Sequence, residues 1–346
     1  MKKIILSLSV LFALNAANAQ DDEIKNKAAE KTTVKDIKDT GWVKGGFFST
    51  NLSNTTFSNW AQGGTNNTAI IANSSLFAIY RPESGKYIWE NYLDLAYGVI
   101  RSGGGKIEDP NNSSAKITNP FVKNEDKFVF LSKYGRKIHE KLSVAGLFSL
   151  NTQLVQGWAG TDILRQNSHV SNFLAQGFGF VSVGIDYKPQ PYFSIYASPI
   201  TAKYTTVREQ RLADLGLYGV KGAEFSYADT VGGKAPVKIK DGQKFRSEIG
   251  WYINLSFIRD IAKNINLQSR LELFQNYNTM QATRVDRNWQ NTINMKVNKY
   301  ISVSLINQVI WDYDVDVNPS QEGAQRKVQF KNFFGVGFTA KFGDKL

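Results

Sequence analysis

The second half of the chain alternates apolar and polar residues with a period of two. Between positions 265 and 277, Ile265, Leu267 and Leu271 share one face of an extended segment, and Gln268 and Arg270 share the other. The segments 285–297, 301–313 and 329–342 repeat this pattern, and segment 88–101 shows it earlier in the chain. Because successive side chains of a β-strand point to opposite sides, the pattern predicts strands with one apolar and one polar face.

The connections between the predicted strands alternate between short and long. The short ones are 81–86, 136–141, 188–191, 259–264 and 298–299, and the long ones centre on 59–67, 102–124, 157–174, 207–243, 279–284 and 314–327. Transmembrane barrels sort their loops in this way, with short periplasmic turns and long extracellular loops. The sequence therefore predicts an all-β fold, a closed antiparallel transmembrane β-barrel of about 12 strands within residues 41–346.

The N-terminal residues predict export. Lys2 and Lys3 precede an apolar stretch at 4–14, and Ala17-Asn18-Ala19 forms a small-x-small cleavage site, so residues 1–19 are expected to be a signal peptide cleaved near Ala19. Residues 20–40 carry charges of both signs and are expected to form a charged periplasmic segment. This segment is either a frayed tail or a short helix that docks on a partner or plugs the barrel. Export together with the barrel pattern predicts location in the outer membrane.

Three segments are distinctive: the stretch from Ser58-Asn59-Trp60 to Gly63-Gly64, Trp89-Glu90-Asn91-Tyr92-Leu93-Asp94, and Ala96-Tyr97-Gly98. On these segments, most of the chain after the expected signal peptide resembles an uncharacterised family of outer-membrane barrels from Bacteroidota. The Asn-Trp-x-x-Gly-Gly element is the most specific part of the resemblance. The resemblance implies the barrel fold and its location, and it implies no established activity.

The sequence offers little for catalysis. The chain contains two His and no Cys, which excludes disulfides and thiolate metal sites. His139 falls in a short turn and His169 in a long loop, and neither shares a strand face with a nucleophile. We therefore expect a protein that is not an enzyme and has no cofactor. The net charge of +12 could suggest nucleic acid, but no basic stripe with stacking aromatics accompanies it, and no nucleic-acid partner is expected.

The polar faces of the predicted strands carry charges of both signs. The side chains expected to point into the lumen are those of Glu90, Asp94, Arg246, Glu248, Arg270, Glu272, Asp312 and Lys331. Arg270 with Glu272, and Arg246 with Glu248, are expected to pair and to bridge the lumen, because an isolated buried charge is costly. A lumen filled in this way favours a scaffold or accessory barrel, which could belong to a larger outer-membrane assembly. The alternatives are a narrow porin-like channel for small solutes and a surface hydrolase.

Two loop features add candidate interaction sites. Asn59, Trp60, Gly63 and Gly64 either pack the rim and turn the first long loop, or form a loop that enters the lumen or docks a partner. Thr230, in Asp229-Thr230-Val231, resembles a short O-glycosylation acceptor. The expected partners are outer-membrane lipid and lipopolysaccharide, the machinery that inserts barrels, and a periplasmic or outer-membrane protein.

Overall fold

The computed structural model describes residues 40–55, 67–103, 105–109, 112–158, 169–190, 192–226, 236–281, 284–298, 301–314 and 327–343. Within these ranges twelve strands form one closed barrel. They are β1 (Gly41–Thr55), β2 (Asn67–Arg81), β3 (Tyr87–Ser102), β6 (Val122–His139), β7 (Leu142–Thr152), β8 (Ala175–Gln190), β9 (Phe193–Val207), β12 (Phe245–Ala262), β13 (Ile265–Asn276), β14 (Asp286–Lys296), β15 (Ile301–Trp311) and β16 (Gln329–Gly343).

The strands follow one another around the ring in chain order, and the first pairs with the last. β1 and β16 are antiparallel, with Gly45 opposite Gly343 and Thr50 opposite Phe338. Every other pair of neighbours in the ring is antiparallel as well. The prediction of an all-β, antiparallel fold is therefore confirmed.

The two ends of the barrel differ in their connections. At one end, called here the short-turn end, tight turns join successive strands, and Asn264 takes a φ of 66° in the turn after β12. Tight hairpins use this left-handed conformation because it matches the strand twist. At the other, long-loop end lie two small hairpins, a short helix and two 3₁₀ turns. These are β4 (Lys106–Asp109) with β5 (Asn112–Thr118), β10 (Glu224–Ser226) with β11 (Val237–Lys240), α1 (Gln210–Asp214), and the turns Leu217–Gly219 and Tyr277–Thr279.

Burial distinguishes an inner and an outer face on the strands. In β8, Ser182 is 3% exposed and Val183 is 60% exposed, and the alternation continues along the strand. The inner face of β8 carries Phe180, Ser182 and Asp186, and the outer face from Val181 to Tyr187 is apolar. The pattern is that of a barrel whose polar groups are inside and whose apolar groups cover the outside. No helix in the described ranges is long and apolar enough to cross a membrane.

Two glycines lie at shifts in strand register. The pairing of β8 with β9 slips between Val183 and Ile185, and a Cβ added to Gly184 would lie 2.3 Å from the carbonyl oxygen of Ala197. The pairing of β12 with β9 slips beside Gly250, where an added Cβ would lie 1.9 Å from the Gln275 carbonyl oxygen. Such irregularities bend strands and re-aim side chains. In β9 both register shifts fall between Ala197 and Thr201. They change which positions point inward, so that Thr201 and Lys203 are buried as well as Ser198.

Candidate functional site: the barrel interior

A charged cluster fills the interior near the short-turn end. The Nζ atom of Lys133 on β6 lies 2.8 Å from Glu90 Oε2 on β3 and 3.4 Å from Asp186 Oδ2 on β8. Lys188 adds a second cation, 3.3 Å from the same Asp186 oxygen. Glu90 and Asp186 are 3% and 6% exposed. Two cations thus offset two buried carboxylates, and the cluster links β3, β6 and β8 on the inner face.

A second charged cluster lies nearer the long-loop end. Lys203 on β9 is buried, and its Nζ lies 2.7 Å from Asp286 Oδ2 on β14 and 3.5 Å from Asp312 Oδ2 just beyond β15. The same ammonium group sits 5.3 Å from the ring centroid of Phe274. Strands β12 and β13 stand between β9 and β14 in the ring. This lysine therefore reaches across part of the lumen rather than to a neighbouring strand.

Arg246 on β12 connects the interior with the loops above it. Its guanidinium donates to Glu248 Oε1 at 2.8 Å, to Asp314 Oδ2 at 2.5 Å and to the Gly219 carbonyl oxygen at 2.9 Å. The expected pair of Arg246 with Glu248 is present, but the two residues are neighbours on the inner face of one strand. It does not bridge the lumen by itself. The contacts with Asp314 and Gly219 make it a link between two long loops.

Aromatic rings and amides occupy the middle of the interior. Phe180 on β8 contacts Tyr252 and Phe274, on β12 and β13, with ring centroids 5.9 and 6.1 Å apart. Glu272 accepts hydrogen bonds from the Tyr252 hydroxyl at 3.0 Å, and from the amides of Asn254 and Asn288. Its expected ion pair with Arg270 is not among those of the described side chains. Three neutral donors on two strands, β12 and β14, satisfy the carboxylate instead.

The remaining sequence candidates fall in three groups. Asp94 is buried inside and accepts a hydrogen bond from Ser75 at 2.5 Å. Arg270 is half-buried and lines a small polar recess with Ser256, Gln268, Gln290 and Thr292. Lys331 occupies the position of β16 opposite Gln308, and its side chain lies outside the described part of the chain. Asn59, Trp60, Gly63, Gly64 and Thr230 also lie outside the described residues.

The sequence candidates omit the two lysines that organise both clusters. Lys203 was missed because the register shift in β9 breaks the period of two between Ser198 and Thr201. Lys133 was missed because both faces of the surrounding segment hold charges or aromatics. A useful signal was present in both cases. Each lysine interrupts a run of strand-forming residues well inside the strand, where an unpaired charge would be costly.

A folded loop segment packs into the mouth at the long-loop end. Leu212 and Ala213 of α1, together with Val220, are buried against Ala175 and Val207, at the ends of β8 and β9. Hydrogen bonds fasten this segment to the loop between β7 and β8. The Tyr218 hydroxyl donates to the Val170 carbonyl oxygen at 2.8 Å, Arg211 donates to the His169 carbonyl oxygen, and the His169 ring pairs with Glu209.

Two carboxyls of this segment have lowered pKa values. Burial alone would raise the pKa of Glu209, but hydrogen bonds from Asn172 and His169 outweigh it and hold that pKa below its ordinary value. At Asp214, hydrogen bonds from Lys238, Gln210 and the Gly242 amide lower the pKa to about 2. Both carboxylates are thus ionised near neutral pH and act as acceptors that order the segment.

Of the described histidines, His169 has the clearest carboxylate partner, Glu209. Its other contacts are those of a structural residue and not of a catalytic one. Its ring meets Trp158 edge-on, with centroids 6.2 Å apart. The nearby Ser171 hydroxyl donates to Gln153 at 2.6 Å rather than to the histidine. Within the described ranges, no group of three metal-binding side chains gathers either.

These features define the class of the protein as an antiparallel β-barrel with a polar, charge-paired interior. Residues 52–158 match a family described as "Protein of unknown function (DUF3078)", which supports the resemblance to an uncharacterised family. The comparison with curated proteins gives no match.

Several solved barrels are similar in shape at low sequence identity. The COG4313 outer membrane channel from Pseudomonas putida F1 is 11% identical, with a TM-score of 0.40, over 88% of this chain and 96% of that one. The translocator domain of the autotransporter NalP from Neisseria meningitidis is 9% identical, with a TM-score of 0.36, over 93% and 99%. The NanC porin is 8% identical, with a TM-score of 0.33, over 85% and 98%.

Proposed function

We propose that this chain is an integral outer-membrane β-barrel of twelve strands whose filled lumen makes it a scaffold or accessory subunit rather than an open pore or an enzyme. The observation that carries the proposal is the paired, buried charge inside the barrel, above all Lys203 between Asp286 and Asp312. Short turns face the periplasm and long loops face outward. An accessory barrel of this kind could serve as one component of a larger assembly in the same membrane.

The outer face supports a membrane setting. Large apolar side chains project from it where a soluble protein would place polar ones, including Val183, Ile200 and Ile249, which are 57–67% exposed. Aromatic side chains cluster on it near the short turns, where the Trp42 ring lies 5.3 Å from that of Tyr80 and 5.6 Å from that of Trp89. Such rings favour the headgroup level of a bilayer. Lipid and lipopolysaccharide are therefore the partners that we propose for this face.

The interior supports occlusion. The two charged clusters lie at different levels, and the aromatic contacts of Phe180 lie between them. Above them, the segment around α1 packs against Val207, and Arg246 holds its Gly219 carbonyl. Twelve strands give a diameter between those of a solid eight-stranded barrel and an open porin, so side chains decide whether a path exists. Here long side chains of both signs occupy the space.

Planar-bilayer recording of the purified barrel tests this function. We expect the natural protein to show little stable conductance. Arg246→Gln removes the positive charge beside the Asp314 carboxylate and the hydrogen bond of the guanidinium to the Gly219 carbonyl. This variant should raise the ionic conductance of the barrel. Arg136→Gln, an exposed change at the short-turn end, is the matched control and should leave the recording unchanged. A stable, large conductance in the natural protein would rule out the occluded scaffold.

The recess around Arg270 favours a second candidate function, a narrow channel for small solutes. Arg270, Gln268, Gln290 and Thr292 present polar groups to the same space on the inner face. A solute path through this recess would sense the charge of Arg270. Arg270→Glu should then shift the reversal potential of any conductance toward cations, whereas the scaffold function predicts no selective current to shift.

Absence of catalysis and the topology are parts of the same proposal. Hydrolysis of lipid or peptide that disappears in His169→Ala would contradict the scaffold function and indicate a surface enzyme.

For topology, tags inserted beside Asn264 and beside Asp241 should label from opposite sides of the membrane, because these sites lie at opposite ends of the barrel. Labelling of both tags from outside intact cells would overturn the orientation.

A further inference from the structure

A polar recess lies in the inner wall of the barrel where β12, β13 and β14 run side by side. In the strand pairing, Arg270 on β13 lies opposite Ser256 on β12 and opposite Gln290 on β14. Two positions nearer the short-turn end, Gln268 is paired with Thr292. These side chains line the recess together. Arg270 stands near the middle of β13, so the recess lies about midway along the strand.

The positive charge of Arg270 has no carboxylate partner among the described residues. Arg270 is half-buried, and none of the ion pairs between described side chains includes it. Glu272, the next acidic residue on the same face, already accepts hydrogen bonds from three neutral donors. A cation removed from bulk water needs a counter-charge, because an unpaired charge there is costly.

The hydroxyl group of Thr292 is a second group of the recess that needs a partner. Thr292 is 1% exposed, and its Oγ1 has no hydrogen-bond partner among the described residues. A buried hydroxyl without a partner is costly, and native proteins usually provide one. The guanidinium of Arg270 and this hydroxyl can both donate hydrogen bonds. One acceptor placed in the recess therefore satisfies both groups.

The lining indicates the charge of the ligand that fits. Its other polar side chains are the Ser256 hydroxyl and the carboxamides of Gln268 and Gln290, and none of the described lining residues is acidic. The recess thus combines one positive charge with several N–H and O–H donors. A guanidinium presents parallel N–H groups that match the two oxygens of a carboxylate. Its single charge balances a monoanion, whereas the dianion of phosphate would bring an excess negative charge into the wall.

We infer that this recess binds the carboxylate group of a small monoanionic solute, which the Arg270 guanidinium and the Thr292 hydroxyl hold by hydrogen bonds. Ser256 and Gln290 flank the carboxylate from the two neighbouring strands. The inference goes beyond the proposed function, because an occluded lumen and a narrow channel can both contain such a site. In an occluded barrel the bound carboxylate is the counter-charge of Arg270, and in a channel it belongs to the solute that passes.

Titration of the purified natural barrel with acetate tests the site. The methyl proton signal of acetate broadens when acetate binds to a particle as large as a barrel in a maltoside micelle, and the sugar headgroup adds no competing anion. We expect saturable broadening that propionate reverses at lower concentrations than phosphate or chloride does, at constant ionic strength. A folded barrel without saturable broadening would overturn the site. Stronger reversal by phosphate or chloride would overturn the carboxylate assignment.

A pair of arginine variants separates the site from the net charge of the protein. Arg270→Gln removes the guanidinium of the recess and should weaken acetate binding about tenfold or more, as expected for charge-assisted hydrogen bonds. Arg136→Gln removes an exposed guanidinium at the short-turn end and should leave the affinity unchanged. Equal weakening in the two variants would show that acetate responds to net charge, and would overturn the site.

A pair of threonine variants tests the hydroxyl. Thr292→Val keeps the shape of the side chain and its preference for a strand, and should weaken acetate binding about threefold to tenfold. Thr292→Ser keeps the hydroxyl and should retain most of the affinity. Heat-modifiable mobility shows whether each variant is folded, and Thr292→Val provides the comparison should Arg270→Gln fail to fold. An unchanged affinity in folded Thr292→Val would overturn the role of the hydroxyl.

Acetate binding in micelles and conductance in a planar bilayer are separate measurements. A barrel that binds acetate through Arg270 and also conducts strongly would keep the carboxylate site and rule out the occluded scaffold. A folded barrel that neither conducts nor binds acetate would keep the occluded scaffold and overturn the site. The two results together therefore distinguish a failure of this inference from a failure of the proposed function.

Discussion

Lys203 Nζ lies 2.7 Å from Asp286 Oδ2 although their strands, β9 and β14, are separated by two others in the ring. The contact spans part of the lumen, and the Asp312 carboxylate lies 3.5 Å from the same ammonium group. This lysine does more than neutralise a residue on a neighbouring strand, because it binds one carboxylate on β14 and one just beyond β15. Such contacts between side chains fill the lumen.

Removing the ammonium group should destabilise the barrel. Lys203→Met keeps most of the side-chain volume but leaves Asp286 and Asp312 without their buried cation. Breaking a buried pair from one side costs about 3–5 kcal/mol. We expect a loss near the lower end because the side chains of Asp286 and Asp312 are 17% and 18% exposed. Urea unfolding in liposomes measures it. Lys244→Gln, an exposed change outside the cluster, should cost less than about 0.5 kcal/mol.

A charged side chain on the outer face should destabilise the barrel more when it lies nearer the middle of the membrane. Leu271→Arg places a guanidinium opposite Trp289 in the middle of the β13 outer face, and we expect a loss of roughly 2–4 kcal/mol. Ser247→Arg, exposed near the long-loop end of β12, should cost about 0–1 kcal/mol. Folding titrations into bilayers of both variants provide the comparison. Equal costs would show that the outer face does not meet a bilayer core.

Gly184 should be intolerant of a side chain. The Cβ of Gly184→Ala would lie 2.3 Å from the Ala197 carbonyl oxygen, and that backbone belongs to the paired strand β9. The strands must separate to accommodate it, so the yield of heat-modifiable barrel should fall. Gly146→Ala is the matched control, since the nearest atom to its Cβ, the Ser182 carbonyl oxygen, would be 3.9 Å away. Similar yields from both variants would contradict the close approach.

The mouth segment should lose order in acid. The pKa of Asp214 is lowered to about 2 by hydrogen bonds from Lys238, Gln210 and the Gly242 amide. A carboxyl with a lowered pKa stabilises the folded segment above its unfolded pKa, near 4 for Asp, and that stabilisation is lost as the pH falls through about 2.

Pepsin cleavage within residues 208–244 measures this loss. Cleavage should increase between pH 4.5 and pH 2 as Asp214 becomes protonated. Asp214→Asn removes one of the two titrating carboxylates of the segment, Glu209 being the other, so its cleavage should rise less than that of the natural chain. The same rise in Asp214→Asn as in the natural chain would assign the acid sensitivity to another group.

Local patterns predicted much of the architecture. The period-two alternation of 265–277 and the alternating connection lengths anticipated strands and turns that the structure places at Ile265–Asn276 and at 263–264. These are local properties, because each strand must present an apolar and a polar face whichever strand lies beside it. The same alternation predicted that Glu90 and Glu248 point inward, and in the structure both residues are 3% exposed.

By itself, then, the sequence determined the class of fold, the faces of its regular strands and the candidate inward charges. Tertiary structure alone decided which charges meet. Lys203 reaches Asp286, 83 positions along the chain, because ring closure and strand stagger bring β9 and β14 within one side-chain length. It also decided which residues of neighbouring strands lie opposite one another, such as Leu271 and Trp289, since alignment across strands depends on register. Register is set by all the pairings of the closed sheet together, and no single segment encodes it.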